Sequence, residues 1–357
     1  MAILKPFHLI VAQQILDSYF ETQQPFSVFF ADLSKKNKNW GSKDRKIYKS
    51  VIYNYFRLGD FAKGKTIESL KEIIHPDNFN EKSKLLDLNQ IFKNTIELSK
   101  ELNKKDWITG FLNKKPVYLK VVLKHKENLE NYLKQLNIPF EWVSESGLKL
   151  SSDTDCKLLI DSGWAWIMDF GSQEITAMVE CQTNDFVWDC CCGGGGKSLF
   201  LRNKYLDKIN LWSSDLRLNS LTNLKNRFSL YNFKQPHIEL IDLMERNRHS
   251  QKFDVIVADV PCSGSGTWGR TPENITQFKG LEGFTHLQKT ITKNCLYNLK
   301  LGGRLYYMTC SVFKQENEAI VEYLQENLKM ELIFSQYGIK SFEESDCLFV
   351  ACLKKTI

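Results

Sequence analysis

The chain has 357 residues, 43% hydrophobic and 25% charged, which is the balance of an ordinary globular protein with room for two or three domains. No apolar run approaches the ~18 residues that a membrane span needs. The amino terminus lacks the apolar core and cleavage site of a secretory signal, so a cytoplasmic protein with reduced cysteines is expected. The net charge of +6 is uneven: residues 1–150 carry 25 Lys+Arg against 17 Asp+Glu, and residues 151–357 carry 23 against 25. That split suits a nucleic acid held by the front of the chain and acted on by the back, although dispersed lysines also make a plain solvated face. None of the ten cysteines stands in C-x-x-C spacing, so no metal is expected.

In chain order, the pattern is first helical. Phe7, Val11, Ile15 and Tyr19 share one face of a helix from Pro6 to about Gln24. A second helix has Ser42 as its expected N-cap and an apolar stripe of Ile47, Tyr48, Val51, Ile52, Tyr55 and Phe56. Lys43, Arg45, Lys46 and Lys49 crowd its first turns and Arg57 lies near its end. More helix is expected through Leu70–Ile74 and Leu85–Leu98, giving an all-α domain over residues 1–102. Residues 103–152 read as a small α+β module: a strand at Val117–Val122, a helix at Lys126–Leu136, and short strands at Phe140–Val143 and Leu148–Leu150. Over residues 153–357 strands alternate with helices. The expected strands are Phe186–Asp189, Leu211–Asp215, His237–Ile241, Val255–Ala258 leading into Asp259, Gly303–Thr309, Leu332–Phe334 and Leu348–Leu353, with a helix near 285–299. That alternation predicts an α/β fold with a doubly wound, mostly parallel sheet.

The residues that carry chemistry sit where these strands end. Gly193, Gly194, Gly195 and Gly196 form the first strand-to-helix turn, which lets backbone N–H groups approach a ligand. Asp215 ends the next strand and can accept from a ribose diol; Asp242 ends the one after. A dinucleotide and S-adenosylmethionine fit this pattern equally well. A phosphate loop does not, because Cys191 stands where that motif needs its first glycine. Two cysteines follow neighbouring strands, in Asp259-Val260-Pro261-Cys262-Ser263-Gly264 and in Thr309-Cys310-Ser311. A lone strand-end cysteine is as often an inert packing residue as a functional one. A displayed thiolate, however, is an effective nucleophile. Cytosine C5 attacks a sulfonium methyl only after a nucleophile has added at C6, an addition that a carboxylic acid near N3 assists. A second thiol can serve the elimination that follows.

From Asp189 to about Val321 the chain resembles the Sun/RsmB-type (NSUN-type) RNA cytosine-5 methyltransferases. Asp189–Lys197 is similar to that family's D-x-C-A-A-P-G-G-K, and Asp259–Gly264 to its D-A-P-C-S-G, continued by Gly269-Arg270-x-Pro272. Thr309–Glu318 is similar to its T-C-S-x-x-x-x-E-N-E. The resemblance implies a class I methyltransferase (Rossmann-like) sheet, S-adenosyl-L-methionine as cofactor and RNA as partner, with 16S rRNA as the expected target. It implies Cys310 as nucleophile, Cys262 as the product-release cysteine and Asp259 beside them. Cys191, Cys192, Gly193–Gly196, Lys197, Asp215, Asp242 and Asp259 would then line the cofactor site. More weakly, Ser42-Lys43-Asp44-Arg45 and the helix after it resemble a NusB-like RNA-binding domain. Two departures bear on the target: Cys192-Gly193-Gly194 replaces A-A-P, and Lys120-Val121-Val122 replaces R-V-N. Glu316 and Glu318 are expected to support a helix start, and the remaining cysteines to pack. A monomer without membrane contact is expected. The competing readings are a tRNA cytosine-5 methyltransferase, an exocyclic-nitrogen methyltransferase (whose second proline and aromatic Val260-Pro261-Cys262-Ser263 lacks), a non-catalytic RNA-binding or ribosome assembly protein of this fold, and a swap of the two cysteines' roles.

Overall fold

A computed structural model describes residues 4–22, 24–245 and 251–356. The chain separates into two compact units that do not follow sequence order. One comprises the residues up to Ile96 together with Asn103–Lys114 and Thr267–Lys279; the other comprises Glu97–Leu102, Lys115–Gly266 and the chain from Gly280 onward.

The first unit is helical, with longer helices at Pro6–Phe20, Phe26–Lys36, Ser42–Arg57 and Lys104–Leu112. Aromatic side chains fill its core. Tyr19 and Phe26 meet Phe56 with ring centroids 5.4 and 5.2 Å apart, and Trp107 lies 5.1 Å from Phe92 and 5.5 Å from Trp268. The N-cap of the second long helix is one residue earlier than expected. Gly41 takes that place and Ser42 is already helical, while Asp44 reaches back to accept the Gly41 N–H at 3.2 Å. Lys43, Arg45, Lys46 and Lys49, in its first two turns, are all exposed. Arg57 is different: it is buried, donates to the Gly269 carbonyl at 3.1 Å, and serves the core instead of the surface. The helix expected over Leu85–Leu98 shrinks to Leu88–Ile91, because the chain beyond it is extended.

The second unit holds two sheets. Strands β1 (Val117–Val121), β2 (Phe140–Trp142), β3 (Gly147–Leu150) and β4 (Ala165–Ile167) form an antiparallel sheet in the order β2-β3-β1-β4. The helix Lys126–Gln135 packs on it through Leu129 and Leu133 against Leu119, Val121, Leu148 and Leu150. The expected α+β module is therefore present, but Asn103–Lys114 groups with the helical unit, and the sheet runs past residue 152 to β4.

The larger sheet has seven strands: β5 (Phe186–Asp189), β6 (Asn210–Asp215), β7 (His237–Leu240), β8 (Phe253–Asp259), β9 (Leu299–Thr309), β10 (Met330–Gly338) and β11 (Leu348–Lys355). Their order is β10-β11-β9-β8-β5-β6-β7, with β5 to β9 parallel and the last two antiparallel. Val187, Val255, Val257 and Met308 face one core, while Trp188, Ile256, Ala258 and Tyr307 face the other. Burial on both faces is why these strands read as continuous apolar runs. The chain leaves β5 towards β6 and β7, then returns to lay β8 on the other side. The switch point, where open α/β sheets bind ligands, is thus between β5 and β8.

Candidate functional site

The turn after β5 is tight because Gly193 and Gly195 take φ of +52° and +81°. It leads directly into the helix Gly196–Tyr205. A cavity of about 700 Å³ opens over the carboxyl ends of the strands. Cys191, Cys192, Gly193, Gly194, Gly196, Lys197, Asp215, Asp242, Asp259, Cys262 and Cys310 all line it. Among the expected site residues, only Gly195 is not on its wall. A Cβ at Gly195 would press into the Leu224 side chain, so this glycine serves helix packing.

Asp215 is held by its neighbours. It accepts from the Gly193 N–H at 2.9 Å, the Arg217 N–H at 2.9 Å and Arg217 Nε at 3.0 Å. Burial alone would raise its pKa, but these donors outweigh burial and hold the carboxyl below its ordinary value. Asp242 is exposed and accepts from the Met244 N–H at 2.8 Å. Asp259 pairs with Lys197 at 2.5 Å; burial opposes the Lys197 charge, and Asp259 more than restores it.

Asp189, at the end of β5, was not singled out from the sequence as a site residue. It is fully buried and accepts from Ser198 Oγ at 2.6 Å through Oδ2, while Oδ1 has no partner among the described residues. Burial pushes its pKa up to about 7. Its place at the end of the first parallel strand was the available signal. Ser172, Leu216, Arg217, Ile241, Leu243, Met244, Leu287 and Ile291 also line the cavity, and spacing alone does not reveal them.

At the far end of the cavity Cys262 Sγ and Cys310 Sγ lie 3.2 Å apart, and the Cys310 N–H donates to Cys262 Sγ at 3.3 Å. The hydrogen bond from Cys310, then burial, drive the Cys262 pKa well up. Both thiols are partly exposed, whereas Cys156, Cys190, Cys192, Cys295, Cys347 and Cys352 are buried. Gly266 closes the Cys262 loop; its N–H donates to the Cys310 carbonyl at 2.9 Å, and a Cβ there would collide with the Cys347 carbonyl.

Glu316 has a different place from the expected helix start. It is fully buried, and its carboxylate accepts from the Ser263 N–H at 2.8 Å, Ser263 Oγ at 2.6 Å, Ser311 Oγ at 2.5 Å and Gln288 Nε2 at 2.9 Å. One side chain thereby ties the two cysteine loops together. Glu318 does open the helix Glu318–Leu328. Lys120 is buried with Nζ 4.2 Å from the Phe200 ring centroid, and burial lowers its pKa to about 8. Among the described residues, no group of three or more His, Cys, Asp or Glu is placed to hold a metal ion, and no helix is long and apolar enough to cross a membrane.

Residues 176–347, which carry every residue of the cavity wall except Ser172, match the family model described as 16S rRNA methyltransferase RsmB/F. Over those residues, just under half of the chain, it is similar to the RsmB/F family. The ribosomal RNA small subunit methyltransferase B of Vibrio vulnificus is 27% identical over 237 residues, which is 63% of this chain and 55% of that protein. The human 28S rRNA (cytosine(4447)-C(5))-methyltransferase is 26% identical over 174 residues, covering 46% of this chain and 21% of that one. The chain spans about half the length of the bacterial relatives it matches. Its fold is that of PH0851 (TM-score 0.74, 17% identity, 99% of this chain and 100% of that one). It is also that of NSun6 from Pyrococcus horikoshii, solved with SFG (TM-score 0.63, 15% identity, 71% and 94%).

Proposed function

We propose that this protein is an S-adenosylmethionine-dependent RNA cytosine-5 methyltransferase acting on small-subunit ribosomal RNA. The observation that carries the proposal is the pair of thiols 3.2 Å apart on the wall of a cavity that also holds Asp215 and Asp259. The donor set fits the cofactor. Asp189 Oδ1 is a buried acceptor without a partner among the described residues, suited to an ammonium group, and Asp215 suits a ribose diol. Ile241, Leu243 and Ile291 supply an apolar wall for a purine. When bound, S-adenosylmethionine supplies an electrophilic methyl group on a cationic sulfur.

The chain's own residues do the rest. Cys310 Sγ adds to C6 of the cytosine, and the electron pair of the C5–C6 bond moves into the ring. The displaced electron pair is delocalised towards N3, which takes a proton relayed from Lys197 Nζ through Asp259 and returns it by the same path when the ring is restored. C5 then takes the methyl group. Cys262 removes the C5 proton, and the C6–S bond breaks with its electron pair returning to Cys310. Lys43, Arg45, Lys46 and Lys49 of the helical unit, which resembles NusB-like domains, would bind phosphates of the same RNA.

Two substitutions test this scheme. Cys310→Ser replaces a thiolate by a hydroxyl that is scarcely ionised near neutral pH, so methylation stops and no covalent RNA adduct forms. Cys262→Ala still permits attack and transfer, so the protein is caught on its product as an RNA–protein species that survives denaturing gels. An adduct that persists in Cys310→Ser and is absent in Cys262→Ala would exchange the two roles. Bisulfite mapping of cellular RNA with and without the protein tests the target; loss of a methylated cytosine from tRNA instead of small-subunit rRNA would overturn that part.

A further inference from the structure

The short segment Glu97–Leu102 belongs to the catalytic unit, although Ile96 before it and Asn103 after it belong to the helical one. It lies against the loop that follows Cys310. Leu98 bridges to Phe313, the Ser99 N–H donates to the Val312 carbonyl at 2.9 Å, and the Lys314 N–H donates to the Glu97 carbonyl at 3.1 Å. Ser99 is 2% exposed. Its hydroxyl donates to Glu318 Oε2 at 2.8 Å and accepts from Asn317 Nδ2 at 3.0 Å.

Asn317 is fully buried and brackets the nucleophile. Its Nδ2 also donates to the Ser311 carbonyl at 2.9 Å, and its Oδ1 accepts from Thr309 Oγ1 at 2.6 Å. Thr309 and Ser311 are the residues on either side of Cys310. The Ser99 hydroxyl has one proton, which goes to Glu318, so only its lone pairs face Asn317. The amide must therefore turn its nitrogen towards Ser99 and its oxygen towards Thr309. The opposite orientation would set amide oxygen against both a lone pair and the Ser311 carbonyl.

We propose that Ser99 is a positioning residue for Cys310, acting through the Asn317 amide; this deepens the transferase reading and rests on it. Ser99→Ala removes one of the two acceptors that hold the amide, leaving the Ser311 carbonyl, and the bracket around Cys310 loosens. Misplacing a reacting group by about 1 Å costs on the order of 100-fold. Expected for the full-length variant is a kcat lower by about 10- to 100-fold with KM for RNA within about twofold, because no RNA-binding group has changed. Alkylation of Cys310 by iodoacetamide, followed by mass spectrometry, should quicken relative to Cys181, which lies outside the bracket. Ser99→Thr keeps the hydroxyl and should restore most of both.

A Ser99→Ala protein with unchanged kcat and unchanged Cys310 alkylation overturns the inference. So does a Ser99→Thr protein as impaired as Ser99→Ala, since the side chain would then be packing only. The alkylation arm needs no RNA. A wild-type protein that methylates no RNA would defeat the transferase reading, while alkylation of the variants would still decide whether Ser99 positions Cys310.

Discussion

Glu316 is the residue whose removal should disturb the site most without touching either thiol. Its carboxylate takes four hydrogen bonds in a fully buried position: from the Ser263 N–H and Gln288 Nε2 on one oxygen, and from the Ser263 and Ser311 hydroxyls on the other. In Glu316→Ala the two hydroxyls can turn towards Ser265 Oγ, already 3.1 and 3.2 Å away. The Ser263 N–H is backbone and cannot turn. Gln288 keeps only its bond to the Pro261 carbonyl at 3.0 Å. A buried hydrogen bond to a charged group contributes about 1.5–3 kcal/mol, and losing those from the Ser263 N–H and Gln288 Nε2, together with the vacated volume, gives about 3–5 kcal/mol. In Glu316→Gln the amide oxygen can keep the first pair of donors, while the amide nitrogen donates to the two hydroxyls, for a cost of about 1–2 kcal/mol. Urea unfolding of both variants reads the difference, with the m-value checked for constancy. The reasoning fails if Glu316→Ala lies within about 1 kcal/mol of wild type, or if Gln is as damaging as Ala.

Asp215→Ala should weaken S-adenosylmethionine binding by about 1.5–3 kcal/mol in calorimetry, the scale of a hydrogen bond to a charged group. Unchanged affinity would move the ribose elsewhere. Asp189 gives a pH signature: its folded pKa of about 7 exceeds the ordinary value of 3.8, so the native state holds the proton more tightly than the unfolded chain. Its contribution to stability is therefore fully present below about pH 4 and is lost as pH rises towards 7, at about 1 kcal/mol per unit. Asp189→Asn should flatten that slope in urea titrations between pH 5 and 7.5; an unaltered slope would assign it to other groups. Replacing Lys43, Arg45, Lys46 and Lys49 by Gln should lower the slope of log affinity for RNA against log salt by about 0.7–0.9 for each phosphate no longer neutralised. An unchanged slope would make them plain solvated cations.

The central strands β5, β8, β9 and β11 were legible because each carries an apolar run buried on both faces, whereas the edge strands β7 and β10 are largely exposed. What failed was local signal without local cause. The expected helix over Leu85–Leu98 is broken because Leu98 and Ser99 pair with Phe313 and Val312, more than two hundred residues away. The helix Lys104–Leu112, capped by Asn103, and the three-residue β4 are too short for periodicity to register. Arg57 reads as a surface cation in a basic helix and is instead buried against the Gly269 carbonyl, a partner that comes from tertiary folding and that spacing cannot name. The domain boundaries failed for the same reason: Thr267–Lys279 leaves the catalytic unit immediately after the Cys262 loop.

The site shows where legibility stops. That Cys262 and Cys310 end neighbouring strands follows from the chain, because the alternation of strands puts β8 beside β9. That they meet depends on register. Asp259 pairs with Met308, so Cys262 lies three residues and Cys310 two residues beyond paired positions. A slip of one residue would turn every β9 side chain to the opposite face of the sheet and carry Cys310 away from the cavity. The register is held by packing on both faces: Met308 lies in the core with Val255 and Val257, and Tyr307 lies in the other core with Ile256 and Ala258. It is then locked beyond the strand ends, where Tyr307 Oη donates to the Glu316 carbonyl at 2.6 Å and the Glu316 side chain holds Ser263 and Ser311. The T-C-S and E-N-E elements are thus one device. The Glu316 carboxylate and the Asn317 amide a few residues later hold the loop around Cys310 in one arrangement.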